Sequence, residues 1–179
     1  LQEINHRKQK LVGKLEGKSS SLTELRKNPK LEADVVVAIP RMKKYMEYSA
    51  KILSVYLKYV SPEDIYVYSV DEVFIDLGGY ISDNAVEFVE MMVKDVFDTT
   101  GIIASAGIGE NMYLAKVAMD IVAKKAKPNE HGARIGELSI SSYREQLWSH
   151  TPITDFWRVG RGYAKTLAKY GIHTMGDIA

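Results

Sequence analysis

The sequence predicts an α+β fold in which helices pack on one face of a small sheet. Three observations carry this. Helical periodicity alternates with short runs rich in Val, Ile, Tyr and Phe, in the order helix, strand, strand, helix, strand, helix, strand. Two of those runs, "IYVYS" (65–69) and "VFIDL" (73–77), are too close for a crossover connection and must be antiparallel neighbours. The apolar content of 46% is that of a globular chain, and no apolar run approaches the roughly 18 residues of a membrane span.

Residues 1–34 are polar and offer only a short helix at 3–12, followed by loop-like "GKLEGKSSS" (13–21). "ADVVVAIP" (33–40) reads as a short buried strand or extended segment ended by Pro40. From Arg41 the period becomes helical: Met42, Tyr45, Met46, Ser49, Ile52, Leu53 and Tyr56 share a face, and Pro62 closes the helix. After the hairpin and "GGY" (78–80), a helix over 84–98 presents Ala85, Phe88, Val89, Met92, Val93 and Val96, with Asn84 and Glu87 spaced as a capping box. "IIASAGIG" (102–109) reads as a buried strand. A helix over 111–126 turns Leu114, Ala115, Ala118, Ile121 and Val122 inward. "ARIGEL" (133–138) is a last strand, and a helix follows over 140–148. A boundary falls near 150–155, with a small helical piece beyond it.

There are no cysteines, so neither a disulfide framework nor a thiolate zinc site is available. No apolar stretch follows the basic N-terminal segment as in a signal peptide, and a cytoplasmic protein without membrane association is expected. The chain opens on Leu1 rather than Met, as an internal fragment would. Net charge is +1 but unevenly spread: residues 61–110 hold eleven acids and one Lys, whereas residues 1–30 hold eight Lys/Arg against three acids. An acidic centre between basic flanks suits a metal site whose surroundings hold a polyanion.

Asp71 and Glu72 stand in the connection of the hairpin. Strict strand geometry would send adjacent side chains to opposite faces, but a tight turn lets both carboxylates reach one point. A hard cation such as Mg²⁺ is usually held by one or two carboxylates plus substrate phosphates, and two such ions can clamp the attacking and leaving oxygens of a phosphoryl displacement. Ordinary polar turn residues are the plainer alternative. Farther on, "VGRGYAKTLAKYGI" (159–172) reads as a helix-hairpin-helix. Gly160 and Gly162 permit a tight turn, free N–H groups at the helix start can take a DNA phosphate, and Arg158, Arg161 and Lys165 add charge. A glycine turn between packing helices is the alternative there. Trp148, Phe156 and Trp157 read as core packing rather than base-stacking platforms.

"YSVDEVFIDL" (68–77) resembles the signature of the Y-family, lesion-bypass DNA polymerases, in which Ser-x-Asp-Glu sits on the palm hairpin. "PRMKKYMEYSAKIL" (40–53), "GIIASAGIGENMYLAKVAMDIVAKKAKPN" (101–129) and "LWSHTPITDFWRVGRGYAKTLAKYGIHTMGDIA" (147–179) are similar to its palm helix, its strand-loop-helix and the start of its thumb, with "RVGRGYAKTL" typical of the UmuC-like branch of bacterial SOS polymerases. The resemblance implies a partial ferredoxin-like palm at 41–150, a remnant of fingers at 1–40, and the start of a thumb at 151–179. It implies translesion DNA synthesis, with Mg²⁺ as cofactor, primed template DNA and deoxynucleoside triphosphates as partners, and a sliding clamp met through other regions. Asp71 would bridge both metals, and Glu72 would hold the one near the primer 3′ end. A lysine would meet the triphosphate: its place before Pro128–Asn129 selects Lys127, counting from Lys116 selects Lys124, and Lys125 lies between them. DNA would be gripped at Gly160, Arg161, Gly162 and Lys165. Asp76 belongs to the same signature, as an anchor or as a metal ligand.

The third carboxylate of such a palm, on an N-terminal strand followed by an aromatic pair, is absent from residues 1–40. A chain lacking it is expected to be inactive alone. Two rivals remain at this point. A nucleotide cyclase uses a related palm but expects Gly-Gly before its acids, where this chain has Tyr68, Ser69 and Val70. A non-catalytic DNA-binding or scaffold subunit would have no need of Asp71–Glu72.

Overall fold

A polar N-terminal segment without apolar periodicity can bury little, and Leu1–Met42 forms a separate unit in which Ala33 is the one buried position among the described residues. The computed structural model describes residues 2–81 and 84–179. Helix α1 (Gln2–Val12) and α2 (Leu22–Lys27) flank a minimal parallel pair, β1 (Lys18–Ser19) with β2 (Glu32–Ala33). The Asn5 amide closes this unit: its Nδ2 donates to Ala33 O at 3.0 Å and its Oδ1 accepts from Ala33 N at 2.9 Å. The burial expected of "ADVVVAIP" is not found. The strand stops at Ala33, and Val36 is 97% and Ile39 84% exposed. β-branched residues make that run apolar, but within Leu1–Met42 none of the described residues covers it.

The second unit, Lys43–Ala179, carries the expected order. Helix α3 (Met42–Tyr56) leads to the hairpin of β3 (Ile65–Val67) and β4 (Val73–Ile75), antiparallel with Tyr66 opposite Phe74. The first turns of α3 depart from the expected face: Met42, Tyr45 and Met46 are exposed, and Val55 is its one buried residue. Helix α4 (Ala85–Thr100) follows the periodicity closely, burying Val89, Met92, Val93 and Val96. Its N-cap is Asn84, whose side chain accepts from Glu87 N, and Gly101 ends it in the left-handed region at φ 71°, where glycine carries no Cβ penalty.

Strand β5 (Ala106–Gly109) runs parallel to β6 (Ile135–Leu138). Between them the chain forms one helical run: α5 (Met112–Val117), a π turn (Ala118–Val122) and a 3₁₀ turn (Ala123–Lys125). Two glycines let this run lie directly on the strands. A Cβ on Gly107 would overlap the Ala115 carbonyl oxygen and the Met119 amide, and one on Gly136 would stand 2.6 Å from Ala118 O. Helix α6 (Ile140–Leu147) is capped by Ser139 and Ser142 in a reciprocal box. Leu114, Val117, Ala118 and Ile121 then share a core with Leu138, Leu147, Ile153 and Phe156, so residues on both sides of position 150 pack together. A second cluster sets Val89 and Val93 of α4 against Leu77, Ala106, Ile108 and Ile135.

Mixed α and β content is as expected. Among the described residues, however, the strands form three separate pairs rather than one sheet. The stretch 159–172 holds one full helix, α7 (Arg161–Ala168), preceded by a single 3₁₀ turn (Ile153–Asp155) and followed by the one-turn α8 (Met175–Ile178). No helix among the described residues is long and apolar enough to cross a membrane.

Candidate active site

The hairpin connection is built by its own backbone. Tyr68 N and Ser69 N both donate to Glu72 O at 3.0 Å, closing a tight loop with Val70 and Asp71 at its tip. Ser69 Oγ donates to Asp71 Oδ1 at 2.8 Å and fixes that carboxylate within the turn. Asp71 is exposed and Glu72 half-buried, so the pair is open to solvent on one side and anchored on the other.

The anchor is Lys116. Asn111 caps α5 by accepting from Leu114 N at 2.9 Å, and the close seat of the helix on β5 sets the direction of the residues beyond the cap. Lys116 Nζ donates to Glu72 Oε1 at 2.7 Å and to Asp120 Oδ1, one helical turn on, at 2.9 Å. Its side chain is 9% exposed, against 29% for Glu72 and 26% for Asp120. Burial alone would lower the Lys116 ammonium, but the bonds it donates to both carboxylates outweigh that and raise it above the ordinary lysine value of 10.5. It is therefore a cation at any physiological pH. In the sequence Lys116 stood out only as a counting mark. The readable signal was the i, i+4 spacing of Lys116 and Asp120 on a helix otherwise rich in Ala, Leu and Val.

Asp71 and Glu72 each have one oxygen engaged by a protein donor and a second with no protein partner among the described residues. Two hard oxygen donors on one rigid turn fit a divalent ion whose remaining ligands come from water and a phosphorylated substrate. They do not make a preformed cage. No group of three or more His, Cys, Asp or Glu that could hold a metal occurs among the described residues. Asp76 faces away from this role: its Oδ1 accepts from Gly78 N at 2.9 Å, anchoring the exit turn.

Of the three lysines, Lys124 and Lys125 line an open pocket of about 480 Å³ together with Asp120, Ile121, His150, Thr154 and Asp155. Asp120 is thus common to the pocket wall and to the Lys116 bridge. Lys127 is exposed on the loop beyond and does not line it. His150 Nε2 lies 2.9 Å from Asp155 Oδ2 in the same lining.

Gly160 caps α7 in an extended conformation, and Arg161, Gly162 and Lys165 are all exposed along its first turns. Arg158 adopts φ 67°, a left-handed backbone that a non-glycine residue adopts at a cost. Its guanidinium lies 5.0 Å from the Trp157 ring centroid. Trp157 in turn donates from Nε1 to Tyr68 OH at 3.3 Å and packs against Phe74, two residues beyond Glu72. The core role expected of Trp157 is therefore only half met. It is half-buried and joins the basic turn to the acidic hairpin, whereas Phe156 is buried outright.

The sequence profile of the impB/mucB/samB family matches residues 20–120, a span that includes the hairpin and Lys116. A curated relative from Bacillus subtilis (strain 168), "Putative UV-damage repair protein UvrX", is 27% identical over 160 residues, which are 89% of this chain and 36% of the relative. "DNA polymerase IV 2" of the same organism is 30% identical over 148 residues, 82% of this chain and 34% of the relative. The chain spans about a third of the length of such curated relatives. Among solved structures, "Insertion ternary complex of Dbh DNA polymerase" superposes with a TM-score of 0.66 at 21% identity, over 97% of this chain and 46% of that one. "Crystal Structure of DinB from Sulfolobus solfataricus" gives 0.62 at 20% identity, over 99% and 55%. Both are likenesses of fold.

Proposed function

The chain belongs to the impB/mucB/samB family, and from that premise we propose that it serves templated nucleotidyl transfer opposite damaged DNA. The substrates are a primed template and a deoxynucleoside triphosphate, and the protein works in the cytoplasm. The observation that carries this is the Asp71–Glu72 turn, open to solvent on one side and braced from below by Lys116 at 2.7 Å. The names of the relatives, a UV-damage repair protein and a DNA polymerase, agree with it.

In this scheme Asp71 and Glu72 hold Mg²⁺, which when bound supplies charge neutralisation on the triphosphate and acidifies the primer 3′-hydroxyl. The chain's own side chains do the rest. Ser69 holds Asp71 within the turn, Lys116 keeps Glu72 at a fixed height, and Lys124, from the pocket that shares Asp120, draws in the triphosphate, with Lys125 and Lys127 as reserve charge. Residues 41–150 act as a partial ferredoxin-like palm, 1–40 as the end of the fingers and 151–179 as the start of the thumb, where Gly160, Arg161, Gly162 and Lys165 hold the DNA backbone. Primer extension past an abasic site by the full-length protein with Mg²⁺ is the direct test. Failure to add any nucleotide on both damaged and undamaged templates overturns the proposal.

The basic turn gives a second expectation. The chain binds DNA weakly and without regard to sequence, because phosphate contacts carry no sequence information. Its affinity falls with salt at a log–log slope of about −0.9 per contact on duplex DNA. Arg161→Glu combined with Lys165→Glu weakens binding and flattens that slope, as read by fluorescence anisotropy across a salt series. Salt-independent binding by the parent chain would remove the phosphate grip from the scheme.

A further inference from the structure

Lys116 is the one buried charged residue among the described residues. Packing does not require it. A buried ion pair replaced by apolar groups of similar volume is often neutral or more stable, and the neighbours on this helix, Leu114, Val117 and Ala118, are apolar and well packed. The ammonium stands where a cation between two carboxylates would stand, 2.7 Å from Glu72 and 2.9 Å from Asp120. A divalent ion on Glu72 would sit about 2.0–2.6 Å from its oxygen. It would therefore come within a few ångströms of a positive charge that already bonds that carboxylate.

We propose that Lys116 is the resident counter-cation of Glu72, and that its charge weakens the hold of a divalent ion on the carboxylate's other oxygen. The inference rests on the assignment of Asp71 and Glu72 as metal ligands. It adds that, in the free hairpin, part of the carboxylate charge is offset by an internal ammonium rather than by metal. Without its own cation, Glu72 would face Asp71 and Asp120 as an uncompensated acid, and the turn would attract any divalent ion in solution. With it, the ion is held weakly, at about a millimolar or above, and firm binding requires the further negative charge of a nucleoside triphosphate.

Mn²⁺ titrated into the chain, with free ion counted by electron paramagnetic resonance, tests this without recourse to activity. Glu72→Gln is expected to weaken binding and locate the ion at the hairpin. Lys116→Gln, which removes the charge and leaves a shorter polar side chain, is expected to tighten it by about tenfold. Lys116→Arg, which keeps the charge, is expected to leave it within about twofold of the parent. Should Lys116→Gln not fold, as judged by circular dichroism, Lys116→Met is measured in its place; and should both unfold, Asp120→Asn, which leaves the ammonium to Glu72 alone, must weaken binding or the proposal is lost. If Glu72→Gln weakens binding while the neutral Lys116 variants leave it unchanged or weaker, the counter-cation idea falls and the metal assignment stands. If Glu72→Gln binds Mn²⁺ as the parent does, both fall together.

Discussion

Asp71→Asn or Glu72→Gln, introduced into the full-length protein, is expected to lower primer extension by about three to four orders of magnitude, equivalent to about 4–5.5 kcal/mol of lost transition-state stabilisation. Each substitution preserves side-chain volume and replaces a charged oxygen with an amide that is a poor ligand for a hard cation. Neither should disturb the fold. Asp71 is exposed at a turn closed by backbone bonds from Tyr68 and Ser69 to Glu72 O, and the backbone oxygen survives both changes. Glu72→Gln still offers Lys116 an amide oxygen, and Asp120 keeps its own bond to the same ammonium. The measurement is single-turnover incorporation at saturating Mg²⁺, beside a thermal melt. Near-parental turnover by either variant sinks the assignment of the hairpin as the metal-binding turn.

The largest effect on stability is expected at Gly107. Its ideal Cβ position is occupied by the Ala115 carbonyl oxygen and the Met119 amide, both backbone atoms of a packed helix. A flexible side chain could swing aside; these cannot. Gly107→Val must push α5 off β5, opening the core of Leu114, Val117 and Ala118 and withdrawing Lys116 from Glu72. Overpacking of a core costs roughly 1–3 kcal/mol and occasionally more; with backbone as the obstacle the cost belongs at the upper end or beyond. The expected result is a chain that either fails to show a cooperative melt or melts well below the parent. Gly79→Ala is the control, since nothing lies within 4 Å of a Cβ there. A parental melting curve for Gly107→Val would mean that the helix does not lie on the strand as described.

The features legible in the sequence were local. Helix α4 came out with its buried face and Asn84 cap because periodicity and capping are properties of neighbouring residues. The hairpin followed from the short spacing of two strand signals, and the acidic tip from the residues between them. The partner of Glu72 could not be read this way, because Lys116 lies 44 residues away and meets it only once α5 is seated on β5. The Trp157–Tyr68 bond, across 89 residues, was hidden for the same reason. Where apolarity itself was the guide, it misled twice, at Val36–Ile39 and at Met42, Tyr45 and Met46, all of which are exposed. Buried residues are mostly apolar, but the converse does not hold, since much of any folded surface is apolar too.

The exposed Val35–Ile39 run also bears on how the chain behaves at high concentration. Five uncharged residues, four of them β-branched, form a segment of the kind that recruits a like segment from another molecule into cross-β stacking. The residues immediately after it work against that outcome. Pro40 cannot donate to a growing ladder, and Arg41, Lys43 and Lys44 place three positive charges within the next four positions, so that stacked copies would repel. Colloidal stability is therefore concentrated in this short Pro–Arg–x–Lys–Lys guard, and preparations whose lysines are acetylated or whose charges are screened by salt will be the first to cloud.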